Sequence, residues 1–375
     1  MLDKKRYLEE LESLVNIDSG TYCKAGVDFV AEWFAQRFSA MGWKTEWFEP
    51  APETLGKSVL CTPSAARNFD LLILCHIDTV FPAGEAERRP FSIEGDRLRG
   101  PGAADMKGGC LFALHALEQL VAEKGALGNV GVFFNGEHEI SCPNTRAVIE
   151  DLSRGSKVIF ATECVRANGA HIKQRKGILR YTLKFSGVSA HSGNNPQDGA
   201  CAVTEMANWI LFFKSLEDPG KGITVNPGMA HGGASVNTIP DEAELRVDIR
   251  TVDYEDSLAI DAAVRARGIF NPRVSFALGG GITRPPMKPN AATERICAVV
   301  DEVSLRHGIT PKWAFVGGGS DASFASAMGK PALCGIGPVG GGAHTQNEFI
   351  DTTDLEARFA EFKDIVSTLS TLQSV

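Results

Sequence analysis

The sequence predicts an α/β protein in which helices sandwich a mixed β-sheet and a second, α+β unit is inserted. Three short runs, at residues 70–78, 130–137 and 157–163, each contain a continuous apolar stretch, as is typical of strands buried on both faces. Helical patterns separate these three runs along the chain. Because strands and helices alternate in this way, the sequence falls in the α/β class rather than the all-β or all-α class.

The N-terminal part of the chain opens with two amphipathic helices, since apolar side chains recur at helical spacing over residues 2–16 and 27–41. The three buried strands follow. A helix is predicted over 106–124, between the first and second strands, and another over 145–152, between the second and third. Strands connected by helices in this manner belong to one sheet whose faces the helices cover.

The pattern changes between residues 176 and 286, where apolar and polar residues alternate as in antiparallel strands with one solvated face. The segments LRYTLKFSG and DEAELRVDIR show this alternation, and one clear helix is predicted over 200–216. After the insertion the first pattern returns, with predicted helices over 291–307 and 353–372 and a predicted strand over 331–337.

The length of the chain agrees with two domains, because a domain commonly holds about 100 to 200 residues and the chain has 375. We expect residues 1–175 and 287–375 to form one α/β domain in two parts. Residues 176–286 form the α+β domain that interrupts it.

Charge and composition exclude several classes of protein. With 38 Lys and Arg against 46 Asp and Glu, the net charge is −8, so no nucleic-acid partner is expected. No run approaches the roughly 20 apolar residues of a membrane span, and the N-terminus lacks a signal-peptide core. We therefore expect a cytoplasmic protein without a membrane partner. The nine cysteines include no CxxC pair, so most of them are expected to be buried thiols.

Polar residues that can bind metal ions follow the predicted buried strands, where open α/β sheets place their ligand sites. His76 has a carboxylate, Asp78, two residues later, and such a pair lets the carboxylate orient the imidazole. The other candidates are Asp105, Glu137 to Glu139, Glu163 and His344.

The glycine-rich segment at 98–109 is not a dinucleotide loop. Its pattern is GxGxxD, with Asp105 where the third glycine of the dinucleotide motif would stand. A carboxylate that leads into a helix can instead bridge two cations through its two oxygens. The later run GGGSDAS lacks the lysine of a phosphate-binding P-loop, so we exclude that interpretation as well.

Six motifs occur in an order that is known from one enzyme family. They are HIDTV, GPGAADMKGG, NGEHEISCPNTR, SAHSG, GGGSDAS and GGGAHTQNEF. Nearly the whole chain resembles the dizinc metallopeptidases, which include glutamate carboxypeptidases, aminoacylases, acetylornithine deacetylase and succinyl-diaminopimelate desuccinylase. It is most similar to the glutamate carboxypeptidase branch. The resemblance implies a zinc-peptidase-like catalytic domain with a ferredoxin-like lid and dimerisation domain at 176–286.

The resemblance also implies two zinc ions, with manganese or cobalt as alternatives. His76 and Glu163 would bind one ion, Glu139 and His344 the other, and Asp105 would bridge both. This set agrees with the chemistry of zinc, which accepts imidazole and carboxylate ligands and activates a water molecule for hydrolysis. A closed site that only stabilises the fold is disfavoured, because the ligand set contains no cysteine.

The acidic motif departs from the family at the position of the general base. Family members carry two adjacent glutamates, a base and then a ligand, whereas this chain has Glu137, His138 and Glu139. One interpretation is that His138 is the base, with two nearby cations favouring its neutral form. A second is that Glu137 serves after a local distortion, since alternate residues of an extended segment point the same way. A third is that hydrolysis is slow or lost.

The inserted domain is expected to bind the substrate. By resemblance, His191 stabilises the oxyanion across a dimer, and Asn237 with Arg250 binds the terminal carboxylate of the substrate. Arg284 is a second candidate for the carboxylate, with a surface ion pair as the alternative, and Gly318 lets the backbone approach the substrate.

The function implied is hydrolysis of an amide bond beside a free carboxylate, by a hydroxide bound to two zinc ions. Such an enzyme releases a C-terminal amino acid such as glutamate from a small peptide or N-acyl amino acid. The alternatives are an N-acyl amino acid deacylase, another C–N amidohydrolase, and a catalytically impaired metal-containing binding protein. The expected assembly is a homodimer formed through the lid.

Overall fold

The computed structural model describes residues 1–125 and 127–372. The helices of this part of the chain are α1 (Lys4–Val15), α2 (Lys24–Ala40), α3 (Glu85–Arg88), α4 (Gly108–Lys124), α5 (Arg146–Arg154), α6 (Ala202–Ser215), α7 (Tyr254–Ala266), α8 (Ala291–Arg306), α9 (Ala322–Ala327) and α10 (Leu355–Leu369). The strands are β1 (Lys44–Phe48), β2 (Ser58–Thr62), β3 (Leu71–His76), β4 (Ser92–Glu94), β5 (Arg97–Arg99), β6 (Val130–Asn135), β7 (Val158–Ala161), β8 (His171–Arg175), β9 (Gly177–Ser186), β10 (Thr224–Gly232), β11 (Glu242–Thr251), β12 (Ser275–Arg284), β13 (Trp313–Val316), β14 (Ala332–Leu333), β15 (Gly340–Gly341) and β16 (Phe349–Asp351).

The chain forms two compact units. The first comprises Met1–Gln174, Met287–Val316 and the chain from Ser320 onward. The second comprises Arg175–Pro286 together with the short segment Gly317–Gly319. The second unit is thus an insertion in the first, and it includes three glycines that come from a distant part of the sequence.

A six-stranded mixed sheet forms the centre of the first unit, in the order β1-β2-β6-β3-β7-β14. β6, β3, β7 and β14 run parallel, while β1 and β2 are antiparallel additions at one edge. Along β3, Leu71 and Ile73 pack into one hydrophobic cluster with α1, α2, α4 and α10. Leu72 and Leu74 pack into another cluster, with α5 and α9, on the opposite face. Both faces are covered, which explains why these strands are continuously apolar.

The second unit contains a four-stranded antiparallel sheet in the order β10-β11-β9-β12. Along the chain the elements follow as β9, α6, β10, β11, α7 and β12, which is the β-α-β-β-α-β arrangement of ferredoxin-like folds. Leu183 on β9 and Trp209 on α6 lie in its own hydrophobic core. The predicted fold class, a mixed α/β sheet with an inserted ferredoxin-like unit, is confirmed.

One predicted strand is much shorter than expected. Residues 331–337 read as a strand, but only Ala332 and Leu333 pair with β7. The next residue, Cys334, forms an isolated antiparallel bridge with Ile172, and Gly335 adopts a positive φ of 61°. The chain therefore leaves the large sheet at this point, although its side chains remain buried.

Among the described residues, no helix has both the length and the apolar character needed to span a bilayer. None of the nine cysteines takes part in a disulfide; Cys23, Cys164 and Cys201 are half-buried and the others are buried.

Candidate metal centre

The predicted metal ligands gather where neighbouring parallel strands of the first unit end. His76 is the last residue of β3, and Glu139 lies in the loop that follows β6, the strand beside it. Glu163 follows β7, the other neighbour of β3. The carboxyl ends of parallel strands lie at one edge of the sheet, which is where α/β proteins bind their ligands.

A compact donor group forms at this edge. One ligand atom each from His76, Asp105 and Glu139 lies within 4.8 Å of the others. His344 joins the group, because its Nε2 is 3.2 Å from Asp105 Oδ2 and 3.3 Å from Glu139 Oε2. Asp105 presents its other oxygen, Oδ1, to His76 Nε2 at 3.0 Å. The two oxygens of Asp105 thus face two different imidazoles, as a bridging carboxylate requires.

The two imidazoles of the group and the carboxylate of Asp105 shift each other's pKa values. Burial alone would lower the pKa of His76, but the carboxylates of Asp105 and Asp78 raise it well above the ordinary value. Hydrogen bonds with Asp105 and Glu139 raise the pKa of His344 to about 10. Burial opposes ionisation of Asp105, yet His344 and His76 hold its pKa well below the usual range. The half-buried carboxylate of Asp105 and the two imidazoles thus favour each other's charged forms.

The donor set fits divalent metal ions. His76 Nδ1 is 3.0 Å from the backbone carbonyl oxygen of Asp78, so Nδ1 carries the proton and donates it. The lone pair of Nε2 then points toward Asp105 Oδ1, and a proton or a cation must lie between two such acceptors. Imidazole nitrogen and carboxylate oxygen are the ligands that zinc prefers after thiolate.

Contrary to the sequence prediction, the carboxylate of Asp78 does not orient the His76 imidazole. Its carboxylate Oδ1 is 3.6 Å from His76 Nδ1, too far for a good hydrogen bond, and its backbone carbonyl orients the ring instead. The carboxylate is fully buried and accepts hydrogen bonds from Thr21 Oγ1 and from the backbone N–H groups of His138 and Glu139. Asp78 therefore fixes the loop that carries Glu139.

Glu348 organises the loop that carries Asp105. Its buried carboxylate accepts the backbone N–H groups of Gly102, Ala104 and Asp105 at 2.8 to 3.1 Å. Burial and the charge of Asp105 raise the pKa of Glu348 to about 7. His344, four residues earlier, adopts a positive φ of 64°, a conformation that is uncommon outside glycine and often marks a functional position. Both features position ligands of the donor group.

Glu163 stands outside the compact group of three. The parallel register pairs Leu74 with Ala161, so His76 and Glu163 each lie two residues beyond the last shared pair. Its backbone is therefore beside that of His76, while its carboxylate is not among the donors within 4.8 Å of one another. Its assignment as a metal ligand stays a prediction.

The carboxylate of Glu137 is directed away from this group. Its Oε1 accepts the backbone N–H groups of Asn144 and Thr145, and its Oε2 accepts the side-chain amide of Asn144 at 2.7 Å. These donors lie at the N-terminus of α5, and Glu137 is buried there. Both oxygens have a structural role, and no distortion that would turn Glu137 toward the donor group is present.

His138 lies against the donor group. Its ring stacks on His76 with 4.0 Å between centroids and 6° between planes. Its Nδ1 is 2.8 Å from Oδ1 of Asp321, which is buried. Asp321 is not among the residues predicted from the sequence, although it belongs to the GGGSDAS motif. The available signal was a carboxylate two residues after a glycine run, in a motif of which only the glycines were interpreted.

Two predicted substrate residues, His191 and Asn237, lie at one end of the sheet in the second unit. An isolated bridge joins His191 to Thr238, and the backbone N–H of Ser192 donates to the carbonyl oxygen of Asn237 at 3.0 Å. His191 Nδ1 accepts the N–H groups of Gly193 and Asn194 at 3.1 Å. The proton of a neutral His191 is therefore on Nε2, which makes that atom a donor.

The other three predicted substrate residues lie at the opposite end of the same sheet. Arg250 and Arg284 both pair with Ile178, at the start of β9. Arg250 donates to Gly317 O at 3.2 Å and forms a two-point contact with Asp248. Gly318 is in this glycine segment. Between Glu242 and Arg250 the strand β11 rises by roughly 26 Å, so one chain does not bring all five residues together.

Arg175 is a further residue of this end that sequence analysis missed. It is buried, and its Nη1 donates to Gly318 O at 3.2 Å and to Gly319 O at 2.9 Å. Arg175 and Arg250 together bind the carbonyl oxygens of all three glycines from 317 to 319. It lies at the predicted domain boundary outside all six motifs, so the sequence gave no signal for its contact with the glycines.

The fold and the donor group define a class: a two-unit α/β protein with imidazole and carboxylate ligands for divalent metals at a sheet edge. A profile described as Peptidase family M20/M25/M40 matches residues 72–368, which is most of the chain. The protein belongs to this family and is a metal-dependent peptidase or amidohydrolase of the M20 type. The resemblance identified from the six motifs is confirmed.

Named relatives agree with this assignment. Carboxypeptidase G2 of Pseudomonas sp. (strain RS-16) is 27% identical over 364 residues, which cover 94% of this chain and 86% of that protein. Acetylornithine deacetylase of Proteus mirabilis (strain HI4320) is 26% identical over 354 residues, covering 89% and 87%. The crystal structure of an M20 family metallo-carboxypeptidase from Sulfolobus solfataricus has a similar fold, with a TM-score of 0.76, 19% identity and coverage of 99% and 100%.

Proposed function

We propose that this protein cleaves an amide bond beside a free carboxylate and releases the C-terminal amino acid, as a carboxypeptidase does. The observation that carries the proposal is the donor group of His76, Asp105, Glu139 and His344. The two oxygens of Asp105 face different histidines, an arrangement that suits two metal ions. The similarity to carboxypeptidase G2 over 94% of the chain supports the choice of reaction.

The metal ions would be zinc, with His76 and Glu163 on one ion, Glu139 and His344 on the other, and Asp105 between them. Bound zinc lowers the pKa of a water molecule and polarises a carbonyl group. The protein contributes the position of each ligand: Glu348 fixes the Asp105 loop through three backbone N–H groups.

His138 is the general base of the proposed reaction. Its Nδ1 is engaged with Asp321, so its Nε2 is the atom that takes a proton from the attacking water and returns it to the leaving amine. The stacked ring of His76 holds the plane of the imidazole. Glu137 is excluded from the proposal, because both of its oxygens accept hydrogen bonds from residues 144 and 145.

The second unit would recognise the substrate. A guanidinium group binds a carboxylate through two parallel hydrogen bonds, and Arg250 and Arg284 lie beside the glycine segment that includes Gly318. Arg250 keeps N–H groups beyond those that contact Asp248 and Gly317, since a guanidinium has five. His191, with its proton on Nε2, would donate to the developing oxyanion.

The proposed assembly is a homodimer through the second unit, in which His191 and Asn237 serve the metal centre of the other chain. The two residues lie at the opposite end of β11 from Arg250, which disfavours one substrate contacting both ends within one chain. An edge for pairing is present, because β10 is the outermost strand of its sheet and Met229 on it is exposed. Leu211 on α6 is also exposed.

Subunit complementation tests the assembly. His191→Asn and Asp105→Asn variants, each inactive alone, are refolded together. If His191 acts on the partner, the mixed dimer retains one intact site, and a statistical mixture recovers about a quarter of the wild-type activity. No recovery, in a mixture shown to contain mixed dimers, means that His191 acts within its own chain or not at all.

The reaction itself is tested with a panel of peptidyl and N-acyl amino acids, led by those with C-terminal glutamate. Each substrate is paired with an otherwise identical one whose terminal carboxylate is amidated. We expect release of free amino acid from the carboxylate substrates, abolished by a chelator and restored by zinc, manganese or cobalt. Equal cleavage of the amidated substrates would contradict recognition of a free carboxylate.

The second candidate is an N-acyl amino acid deacylase, favoured by the acetylornithine deacetylase relative at 26% identity. The two activities share all metal ligands and differ in the acyl side of the substrate. A preference for short acyl groups over peptides in the same panel would identify the deacylase.

A third outcome, a binding protein that retains its metal ions, is suggested by His138 itself. If wild type releases no amino acid and His138→Glu creates hydrolysis, the native protein is not a hydrolase of that substrate. If His138→Ala abolishes an existing activity while zinc remains bound, the assignment of the base is supported.

A further inference from the structure

A buried chain of hydrogen bonds ends on His138. Thr145 Oγ1 donates to Asn135 Oδ1 at 2.9 Å, and Asn135 Nδ2 donates to Asp321 Oδ2 at 2.8 Å. Asp321 Oδ1 then lies 2.8 Å from His138 Nδ1. Thr145, Asn135 and Asp321 are all buried. Because water does not compete at these positions, each group's partners fix which atoms donate and which accept.

The orientation of the Asn135 amide follows from its other partners. Its Oδ1 accepts both the Thr145 hydroxyl and the backbone N–H of Glu137, at 2.9 and 3.1 Å. An amide nitrogen in that position would meet a backbone N–H, donor against donor, so Nδ2 must face Asp321. Asp321 Oδ2 is thereby an acceptor, and Oδ1 accepts from His138 Nδ1 and from the Cys142 thiol at 3.2 Å.

We propose that Asp321 is a positioning residue that fixes the neutral His138 ring in the tautomer with its proton on Nδ1. The lone pair is then on Nε2, the atom required of a general base. The stacking on His76 adds a constraint on the ring plane, at 4.0 Å and 6°. The catalytic role of this arrangement rests on the proposed function, whereas the inferred tautomer of His138 rests on the hydrogen bonds alone.

The substitution Asp321→Asn should reverse the tautomer. The new amide must keep its oxygen toward Asn135 Nδ2, because the opposite orientation places two NH₂ groups in contact. Its nitrogen therefore faces His138 Nδ1 and donates to it. His138 then carries its proton on Nε2 and cannot accept one there. The change is nearly isosteric, so the ring stays in place while the basic atom is removed from the reacting side.

Long-range ¹H–¹⁵N spectra of the zinc-loaded protein, labelled at its eight histidines, read the tautomer directly. The His138 signals are assigned by their loss in His138→Gln, and spectra are taken where the imidazole is neutral. We expect the Nδ1–H pattern in wild type and the Nε2–H pattern in Asp321→Asn. An Nε2–H pattern in wild type overturns the proposal, and this result does not depend on whether the variant folds.

Kinetics supply the second measurement, on whichever substrate the panel identifies. Loss of a general base typically lowers the rate by about 10² to 10⁴-fold, so Asp321→Asn should lower kcat by that factor with little change in KM. Zinc content should stay the same. An unchanged kcat in a variant with the reversed tautomer would contradict the assignment of His138 Nε2 as the base, while the tautomer inference would stand.

Asp364→Asn is the matched control. Asp364 Oδ2 lies 2.8 Å from His307 Nε2, so the same change is made in an aspartate–histidine pair between α10 and the residue that follows α8. This pair is outside the donor group and the proposed substrate contacts. We expect the kcat of Asp364→Asn to equal that of wild type. If instead both variants lose activity equally, the loss at Asp321 is a general effect of the substitution, and the positioning role is wrong.

Discussion

The substitution Glu137→Gln separates the two candidate bases, because the structure gives Glu137 a different task. Its carboxylate accepts three hydrogen bonds from Asn144 and Thr145 at the first turn of α5. The side chain of Thr145, which would ordinarily cap the helix, donates to Asn135 instead. Glu137 therefore replaces the missing cap, and its removal should affect stability rather than the chemical step.

The expected loss follows from these three contacts. A hydrogen bond to a charged group contributes about 1.5 to 3 kcal/mol and a neutral one about 1 kcal/mol, so each contact loses about 1 kcal/mol. The N-terminus of α5 also loses a favourable negative charge, which is worth about 0.3 to 1 kcal/mol. Together Glu137→Gln should lower the free energy of unfolding by about 3 to 4 kcal/mol.

Guanidinium-induced unfolding, followed by tryptophan fluorescence and circular dichroism, measures this loss, and kcat is measured on the folded fraction. The control is Glu150→Gln on the same helix, whose carboxylate contacts Arg146 at 2.8 Å near the surface. We expect it to cost less than about 0.5 kcal/mol. A Glu137→Gln variant with wild-type stability and a kcat lowered 100-fold or more would refute the reasoning and make Glu137 the base.

Three further predictions follow from named contacts. Burial opposes ionisation of Glu361, but His171, Ser304 and Arg358 hold its pKa at about 2, below its ordinary 4.5. The ionised carboxylate should therefore stabilise the fold by about 3 kcal/mol above pH 4.5, and this stabilisation should be lost as the pH falls toward 2. Unfolding measurements at several pH values should show this dependence in wild type and not in Glu361→Gln. Asp105→Asn should lower the bound zinc measured by mass spectrometry to at most one ion per chain, with the fold intact by circular dichroism. Gly109→Ala should lower the melting temperature strongly, because its Cβ would meet Thr162 O at 1.9 Å, whereas the unobstructed Gly268→Ala should leave it unchanged.

Sequence patterns located much of the donor group, because its residues stand at the ends of strands that the sequence marks clearly. The run at 70–78 that predicts β3 contains His76, the last residue of the observed strand. The run at 130–137 that predicts β6 ends two residues before Glu139. A continuously apolar run indicates a strand that is buried on both faces of a sheet. A polar residue at the carboxyl end of such a strand is therefore expected at the sheet edge where ligands bind.

Contacts between distant segments could not be predicted in this way. His138 and Asp321 are 183 residues apart in sequence, and no local pattern relates them. The same applies to Glu137, whose role depends on where α5 begins relative to β6, and to Arg175, which contacts glycines of a segment near residue 318. Tertiary packing decides which neighbour satisfies each polar group, and periodicity carries no information about that choice.

The separation of the predicted substrate residues is likewise a property of the sheet register. By resemblance, His191 serves the oxyanion and Asn237 with Arg250 binds the terminal carboxylate. Asn237, however, precedes one end of β11, near His191, while Arg250 lies at the other end. Only the antiparallel register of β9 and β11 reveals that these ends are a strand length apart. This register is the structural reason for proposing that two chains build each site.

The most direct test of the account is a zinc titration of the metal-free protein, in which bound metal and release of free amino acid from a carboxylate-bearing amide are measured together. We predict no release without metal and a rise to full activity as two zinc ions bind per chain. Release that persists in the metal-free protein, or no release from any member of the substrate panel with two ions bound, would contradict the assignment of a metal-dependent amide hydrolase.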